Sequence, residues 1–533
     1  MVTNSQYEEF FQANNIKYQD IKINYTGKNV HITATKDLEE GDVVAFIPKD
    51  AVLSIRNTAI ADILEEADLS GVLGLAVAIM YESSLGPASP WALYLSSIPK
   101  FEKLPNFWSL ENQKLLQGTD VGRSLAEDVS YLTDDYNQLV LPFLDKNPQL
   151  DRSFMTLQHW FYATSLVTSR AFEVDEFHGE SLIPLADLFN HRSGNEHVHI
   201  ESGGSVCPLC GSGNGCACQL DEDSMDEDNI PELNEDEVPE LNDDEIPELA
   251  NDDVPELDAN GNAMEEDGSV TDEDDDILEI TVVKPCKAGE EVFNTYGDHS
   301  NASLLRLYGF IDKINPFSCV KIDREEILKH LKLDAEILED RLLFWDSIGK
   351  DIVDQLGAMG DPEEVAEDHE HDHEGGCCGG EGDEDEGEYE DEEEYEEEGD
   401  CCEDEDCEGC DEGDENPLED DFYIESKGQP SFALYAFTHL ISMSTSLFET
   451  MAADLDASVS SLIAIKKSIE PHSKGLGPVT QTANALIQKA VRDRLTEYPS
   501  VESSQSSLSD EAVAAYALRD EEIRILNDYL TNF

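Results

Sequence analysis

The stretch EEVFNTYGDHSNASLLRLYGF, Glu290 to Phe310, holds two tyrosines, Tyr296 and Tyr308, each followed by glycine. A phenol can donate and accept a hydrogen bond while its ring faces a cation. Roughly a hundred residues earlier, LADLFNH carries Asp187, Asn190 and His191, and TSRAF before it carries Arg170. Asn-His puts polar groups at a turn, and an arginine fork matches a carboxylate. A third group, CPLCGSGNGCAC, places Cys207, Cys210, Cys216 and Cys218 within twelve residues. Cys-x-x-Cys followed by Cys-x-Cys supplies the four thiolates that tetrahedral zinc takes; surface thiols without a metal are the alternative. No Ser/His/Asp or Cys/His arrangement frames these cysteines as nucleophiles. Each of the other groups has a plain structural reading as well. The phenols could be core residues with satisfied hydroxyls, Asn-His a cap or turn, and Arg170 part of a structural ion pair.

The elements around these residues read as strands flanking helices. Val30, Ile32 and Ala34 alternate with polar residues, Glu40-Gly41-Asp42 makes a turn and VVAFIP follows, which predicts a hairpin. The apolar density from Gly71 to about Tyr81 predicts a buried helix, and Ser153 to Phe172 has helical spacing with a serine start. HVHIE and ILEITVV are strand-like, NASLLRLYGF is helix-like, and Pro430 to Phe533 is nearly all helical.

Charge divides the 533-residue chain. Formal net charge is -87, from 33 basic and 120 acidic residues. Asp221–Asp276 holds 27 acids and Asp361–Asp421 holds 35, with no Lys or Arg in either, which leaves a body of net charge -25. Such segments bury too little apolar area to offset chain entropy, so disorder is expected there. An eight-residue repeat (IPELNEDE, VPELNDDE, IPELANDD) runs through the first, and its regular prolines exclude a helix. HEHDHEGGCC and CCEDEDCEGC in the second are further soft-metal candidates. Ten of twelve cysteines lie in the second segment or, as Cys207 to Cys218, just before the first, which favours a reducing compartment, cytosol or nucleus. The charge argues against direct nucleic-acid binding and for a basic partner. No 18-residue apolar run or basic, apolar leader is read, so neither a membrane span nor a secretory signal is expected.

NVHITATKDLEEGDVVAFIP, TSRAF, LIPLADLFNH and GEEVFNTYG…NASLLRLYGF, in that order, resemble the SET-domain lysine methyltransferases. The nearer likeness is to the branch of the Rubisco large-subunit methyltransferase and the fungal ribosomal-protein lysine methyltransferases. The resemblance implies an α+β fold: a SET β-fold over 20–297, split by a helical insertion at about 71–180 and an acidic insert at 203–276. An all-helical substrate-binding domain over 298–533, with an acidic insert at 358–422, would follow. It implies S-adenosylmethionine as cofactor, Tyr296 as the methyl-transfer tyrosine, and Asn190, His191, Arg170 and Tyr296 around the cofactor. Arg170, Asp187 and Tyr308 would meet the substrate, with Tyr308 as second wall of a lysine channel and Asp187 facing the same pocket as Asn190. The substrate would be a basic protein, a large-subunit ribosomal protein before a histone, acted on by a monomer. Two features depart from the family. Where a Gly-x-Gly is common, this chain has Asn29-Val30-His31, with Gly27 earlier. No cysteine trio follows Tyr296-Gly297, so the helical C-terminal domain is expected to close the channel. An acidic binding protein for a basic ribosomal protein, and a histidine methyltransferase of the same branch, remain alternatives.

Overall fold

The computed structural model describes residues 4–26, 29–203, 206–212, 218, 277–358, 422–469, 478–499 and 508–533. Both acidic segments, Asp221–Asp276 and Asp361–Asp421, and Gly27 and Cys216 lie outside the described residues. By contacts the chain forms two units, Met1–Ser318 with Ser504–Leu518, and Cys319–Ser503 with Arg519–Phe533. This division differs from the boundary at 297/298 read from sequence, because the helix Asn301–Tyr308 packs within the first unit.

Among the described residues, ten strands belong to the first unit: β1 (Lys17–Tyr18), β2 (Ile21–Thr26), β3 (Asn29–Ala34), β4 (Val43–Pro48), β5 (Ala171–Glu173), β6 (Glu180–Leu182), β7 (Asn190–His191), β8 (Val198–Ser202), β9 (Ile277–Val282) and β10 (Phe293–Asn294). Six of them form one sheet in the order β1-β4-β9-β8-β10-β7. Its first pairings are antiparallel, whereas β10 runs parallel to both β8 and β7. In β9 every second residue, Leu278, Ile280 and Val282, is buried, the period of a half-covered strand. β4 breaks that period: a bulge between Val43 and Ala45 lets the neighbours Val44 and Ala45 both enter the core.

The expected hairpin between the first two strand-like runs is corrected here. β3 pairs with β2 and β4 pairs with β9. Between them Leu38 bridges Cys286 in both directions, so the chain leaves β3 for a distant partner before it reaches the Glu40–Asp42 turn. Burial of Ile21, Ile23, Ile32 and Ala34 on one face of the β2–β3 ribbon sets that register.

Helices fill the stretch between β4 and β5. Gly71–Leu85 and Leu157–Arg170 pack on each other. The second is capped by Thr156, whose hydroxyl accepts from the His159 N–H, rather than starting at Ser153. Gly74 is required for the first: a Cβ there would lie 2.3 Å from the Leu69 carbonyl oxygen. Gly71–Ala88 is long and apolar enough to cross a membrane by length and composition, but Leu75–Met80 is buried in the core. Glu82 of that helix is buried and fully engaged, accepting from Thr58 (2.7 Å), the Ala59 N–H (3.1 Å) and Ser89 (2.6 Å).

In the second unit, β11 (Cys319–Lys321) and β12 (Tyr423–Glu425) form an antiparallel pair. Around them are helices, of which Phe432–Ser442 is buried almost throughout. Its C-terminal carbonyls at Leu440 and Ile441 accept from Nη1 of the buried Arg341 at 3.2 and 2.7 Å, a cation placed at the negative end of a helix.

The loop between β5 and β6 is pinned by charge. Lys49 Nζ lies 2.9 Å from Asp175, both side chains nearly inaccessible, and Asp175 also accepts from the Phe177 and His178 N–H groups. Burial alone would raise the Asp175 carboxyl, yet the Lys49 and His178 contacts hold it below its ordinary value. Lys49→Met should therefore destabilise the protein by about 3–5 kcal/mol, because a buried charge loses its partner. Urea unfolding at pH 7 checks this; a loss under about 1 kcal/mol would mean that water reaches Asp175.

Candidate functional site

The two tyrosine corners meet the LFNH segment through the parallel pairing of β7 with β10, which sets Asn190 beside Phe293 and His191 beside Asn294. Just past β10, the Tyr296 N–H donates to His191 Nδ1 (2.9 Å) and the Tyr296 hydroxyl donates to the Phe189 carbonyl (2.8 Å). Because His191 Nδ1 accepts, the neutral ring carries its proton on Nε2, which donates to Ser193 Oγ at 2.9 Å. The Ser193 N–H in turn donates to Asp312 (3.1 Å).

Tyr308 arrives on the helix Asn301–Tyr308. Ser300 caps its start, accepting from the Ser303 N–H, and Gly309 ends it at φ 78°. The Tyr308 ring centroid lies 4.8 Å from that of Tyr296 with the planes at 30°, and its hydroxyl donates to the Tyr296 carbonyl at 3.4 Å. Phe310 stands 6.3–6.4 Å from both rings and 5.9 Å from His191. The result is a half-buried wall of three aromatic rings. Burial pushes the Tyr308 phenol up to about 12, and it raises Tyr296 further still. Both phenols therefore stay protonated at neutral pH.

Beneath the LADLFNH segment lies a charge cluster. Arg170, at the end of its helix, donates from Nε to Glu102 (2.7 Å) and from Nη1 to the Asp187 side chain (3.0 Å) and carbonyl (3.2 Å). Tyr94 donates to the same Asp187 oxygen at 3.0 Å. The other oxygen, Oδ1, is buried without a partner. Burial raises the Asp187 carboxyl above its ordinary value despite the Arg170 and Tyr94 contacts. For Arg170, burial lowers the guanidinium, but the Glu102 and Asp187 charges outweigh it and the net shift is upward.

The structure thus brings Tyr296, Tyr308 and His191 together, and it sets the Arg170–Asp187 pair close enough for both charges to act on the Tyr296 phenol. It does not place Asp187 and Asn190 on one face. Asp187 is in a buried turn, Ala186–Leu188, while Asn190 is exposed and donates to Glu291 at 2.6 Å. The expected helical spacing fails because the turn ends after Leu188 and Phe189 is already extended. Leu185, fully buried, enters the turn at φ 81° and ψ -47°, a strained geometry for a side chain with a Cβ. Nor is the Arg170 fork open for a bidentate carboxylate, since Nε and Nη1 are already engaged. Tyr94, Glu102 and Phe310 were not read from sequence. Only Phe310, within the second Tyr-Gly-Phe corner, carried any signal there.

Burial lowers His191 from 6.5 to about 4, although Asp312 opposes the shift. Between those values the unfolded chain binds the proton and the folded chain does not. Stability should then fall as pH drops from 6.5 toward 4, by at most about 3 kcal/mol from this residue. His191→Asn keeps an acceptor for the Tyr296 N–H and removes the titration. Urea unfolding across that window should show a shallower acid slope for the variant; equal slopes would refute a neutral, buried His191.

No protein-family model matches the chain. Ribosomal lysine N-methyltransferase 3 of Saccharomyces cerevisiae is 27% identical over 485 residues, covering 84% of each protein. N-lysine methyltransferase setd6 of Xenopus laevis is 26% identical over 303 residues, 52% of this chain and 50% of that protein's length. Among solved structures, the SET domain of LSMT bound to lysine and AdoHcy superimposes with a TM-score of 0.54 at 16% identity, covering 98% of this chain and 89% of that one. Rubisco LSMT bound to AdoMet gives 0.53 at 15% identity, with coverages of 99% and 91%. The fold is that of the SET-domain methyltransferases, and the sequence likeness to a ribosomal lysine methyltransferase runs along most of the chain.

Proposed function

We infer that this chain, a SET-domain protein-lysine N-methyltransferase by its fold and its resemblance to enzymes of that name, uses S-adenosylmethionine to methylate a lysine of a basic protein, a large-subunit ribosomal protein. The observation that carries the reading is Tyr296. Two hydrogen bonds to the LFNH segment hold it, and a second aromatic ring faces it at 4.8 Å.

When bound, S-adenosylmethionine supplies a methyl group on a sulfonium. The chain must then deliver a neutral amine, aimed in line and stripped of water. The Tyr296 hydroxyl has its proton committed to the Phe189 carbonyl, which leaves oxygen lone pairs to accept from an incoming amine. Tyr308 and Phe310 complete an aromatic wall that attracts a lysine side chain. The residues toward the cofactor fit in part. Asn190 is exposed, with its amide nitrogen on Glu291, and the orphaned Asp187 Oδ1 suits a donor. Arg170 has only Nη2 outside the bonds it makes to Glu102 and Asp187. With its pKa raised by burial, Tyr296 is not the base, so the amine loses its proton to water. The strongly acidic composition suits a lysine-rich substrate by electrostatic steering.

Labelled S-adenosylmethionine incubated with purified large ribosomal subunits tests this directly. Wild type should label one small basic band, and Tyr296→Phe should label it about 100- to 1000-fold more slowly while keeping its thermal shift with S-adenosylhomocysteine. Binding of subunit proteins without labelling by wild type would favour an acidic carrier. Single-turnover rates should rise about tenfold per pH unit from roughly pH 7 to 9, following deprotonation of the target lysine. A plateau beginning below about pH 8 would point to an internal base and sink the assignment of proton loss to water.

A further inference from the structure

The cysteines after β8 lie apart from the tyrosine site. Cys207, Cys210 and Cys218 have their sulfurs within 4.8 Å of one another. Cys207 is buried, Cys218 half-buried and Cys210 exposed. Cys207-Pro-Leu-Cys210 is a tight turn, closed where the Gly211 N–H donates to the Cys207 carbonyl (2.8 Å) and the Cys207 N–H donates to the Ser212 carbonyl (3.0 Å). Gly211 follows at φ 72°, a conformation that suits glycine, and a Cβ there would lie 2.7 Å from the Phe177 ring. Phe177 itself is held: Arg56 lies over its ring at 5.1 Å and donates from Nε to its carbonyl at 3.3 Å. The same loop carries Asp175, pinned by the buried Lys49 that follows β4. The thiol turn is thus seated on a fixed part of the first unit.

We propose that Cys207, Cys210 and Cys218 bind one zinc ion that ties down the chain where it leaves the sheet for the acidic insert. Tetrahedral zinc with sulfurs at about 2.3 Å sets neighbouring sulfurs about 3.8 Å apart, and three sulfurs all within 4.8 Å of one another can take that spacing without moving the turn. A Cys-x-x-Cys turn with glycine next, joined by a third thiol from further along, is the ligand pattern zinc takes in small structural sites. Each thiol gives its proton to solvent and a sulfur lone pair to the ion; nothing is oxidised or reduced. The ion's fourth position is left to water, as the three thiolates already set the geometry. The site is independent of the methyltransferase reading, since none of its residues touches the tyrosine wall or the Arg170 cluster in the contacts described above.

The test uses the full chain, purified with zinc and exchanged into metal-free buffer, with metal measured by mass spectrometry. Wild type should retain one more zinc per chain than Cys207→Ser/Cys210→Ser. Cobalt should give wild type the intense red-region bands of a tetrahedral thiolate site. A variant with Cys377, Cys378, Cys401, Cys402, Cys407 and Cys410 all changed to Ser should keep both signals, which removes the second insert as their source even if the double variant folds poorly. Equal zinc in wild type and double variant, no zinc in wild type, or a cobalt spectrum lost with the six second-insert cysteines would each overturn the proposal. So would a disulfide among the three thiols in protein kept under reductant-free zinc buffer.

Discussion

One short parallel pairing organises the first unit. β7 and β10 are two residues each and about a hundred residues apart, yet their register decides where Tyr296 meets His191. A parallel pair cannot be closed by a tight turn. Here the connection runs out through β8 and back through β9, so the β8–β9 ladder must form for β7 and β10 to meet. A slip of one residue in β10 would turn Phe293 and Asn294 to opposite faces and carry the Tyr296 N–H away from Nδ1 of His191. The chemistry of the tyrosine corner is therefore a consequence of sheet register as much as of residue type.

Desolvation then sets the character of each titratable group. It keeps His191 neutral, so that Nδ1 can accept, and keeps Tyr296 and Tyr308 protonated. The same burial makes Asp187 costly, and the cost is met by Arg170 and Tyr94 on one oxygen while the other goes unpartnered. A buried carboxylate with one satisfied oxygen stabilises the fold poorly. It stands beside Leu185, whose positive φ is a second local cost to the fold.

What the sequence made legible followed from local pattern and from motif order. The helix from Gly71, the β8 and β9 strands, the helix ending at Tyr308-Gly309 and the tyrosine–LFNH association could all be read. The misreadings came where partners are distant. β3 and β4 look like a hairpin because a Glu-Gly-Asp turn lies between them, but backbone bonds to a segment some 250 residues away, the Leu38–Cys286 and Thr33–Glu291 bridges among them, send them to different partners. Tyr94 and Glu102 sit in the helical insertion with no motif around them, and their role appears only once the insertion folds back onto Arg170. Asp187 and Asn190 have helical spacing in the sequence, but the turn between them is too short to use it.

The acidic inserts also make physical sense from where they enter. The first leaves after Ser202 and returns at Ile277, two residues already near each other across the β8–β9 ladder, where Ser202 pairs with Leu278. Closing a long excursion between such points costs only about 3 kcal/mol more than a tight turn, because loop entropy grows with the logarithm of length. A thiolate-bound ion a few residues past the end of β8, seated on the Phe177 loop, would shorten the free part of the excursion and confine the repulsion among its acids to residues beyond it. The sheet register that positions Tyr296 would then be insulated from the charge of the insert.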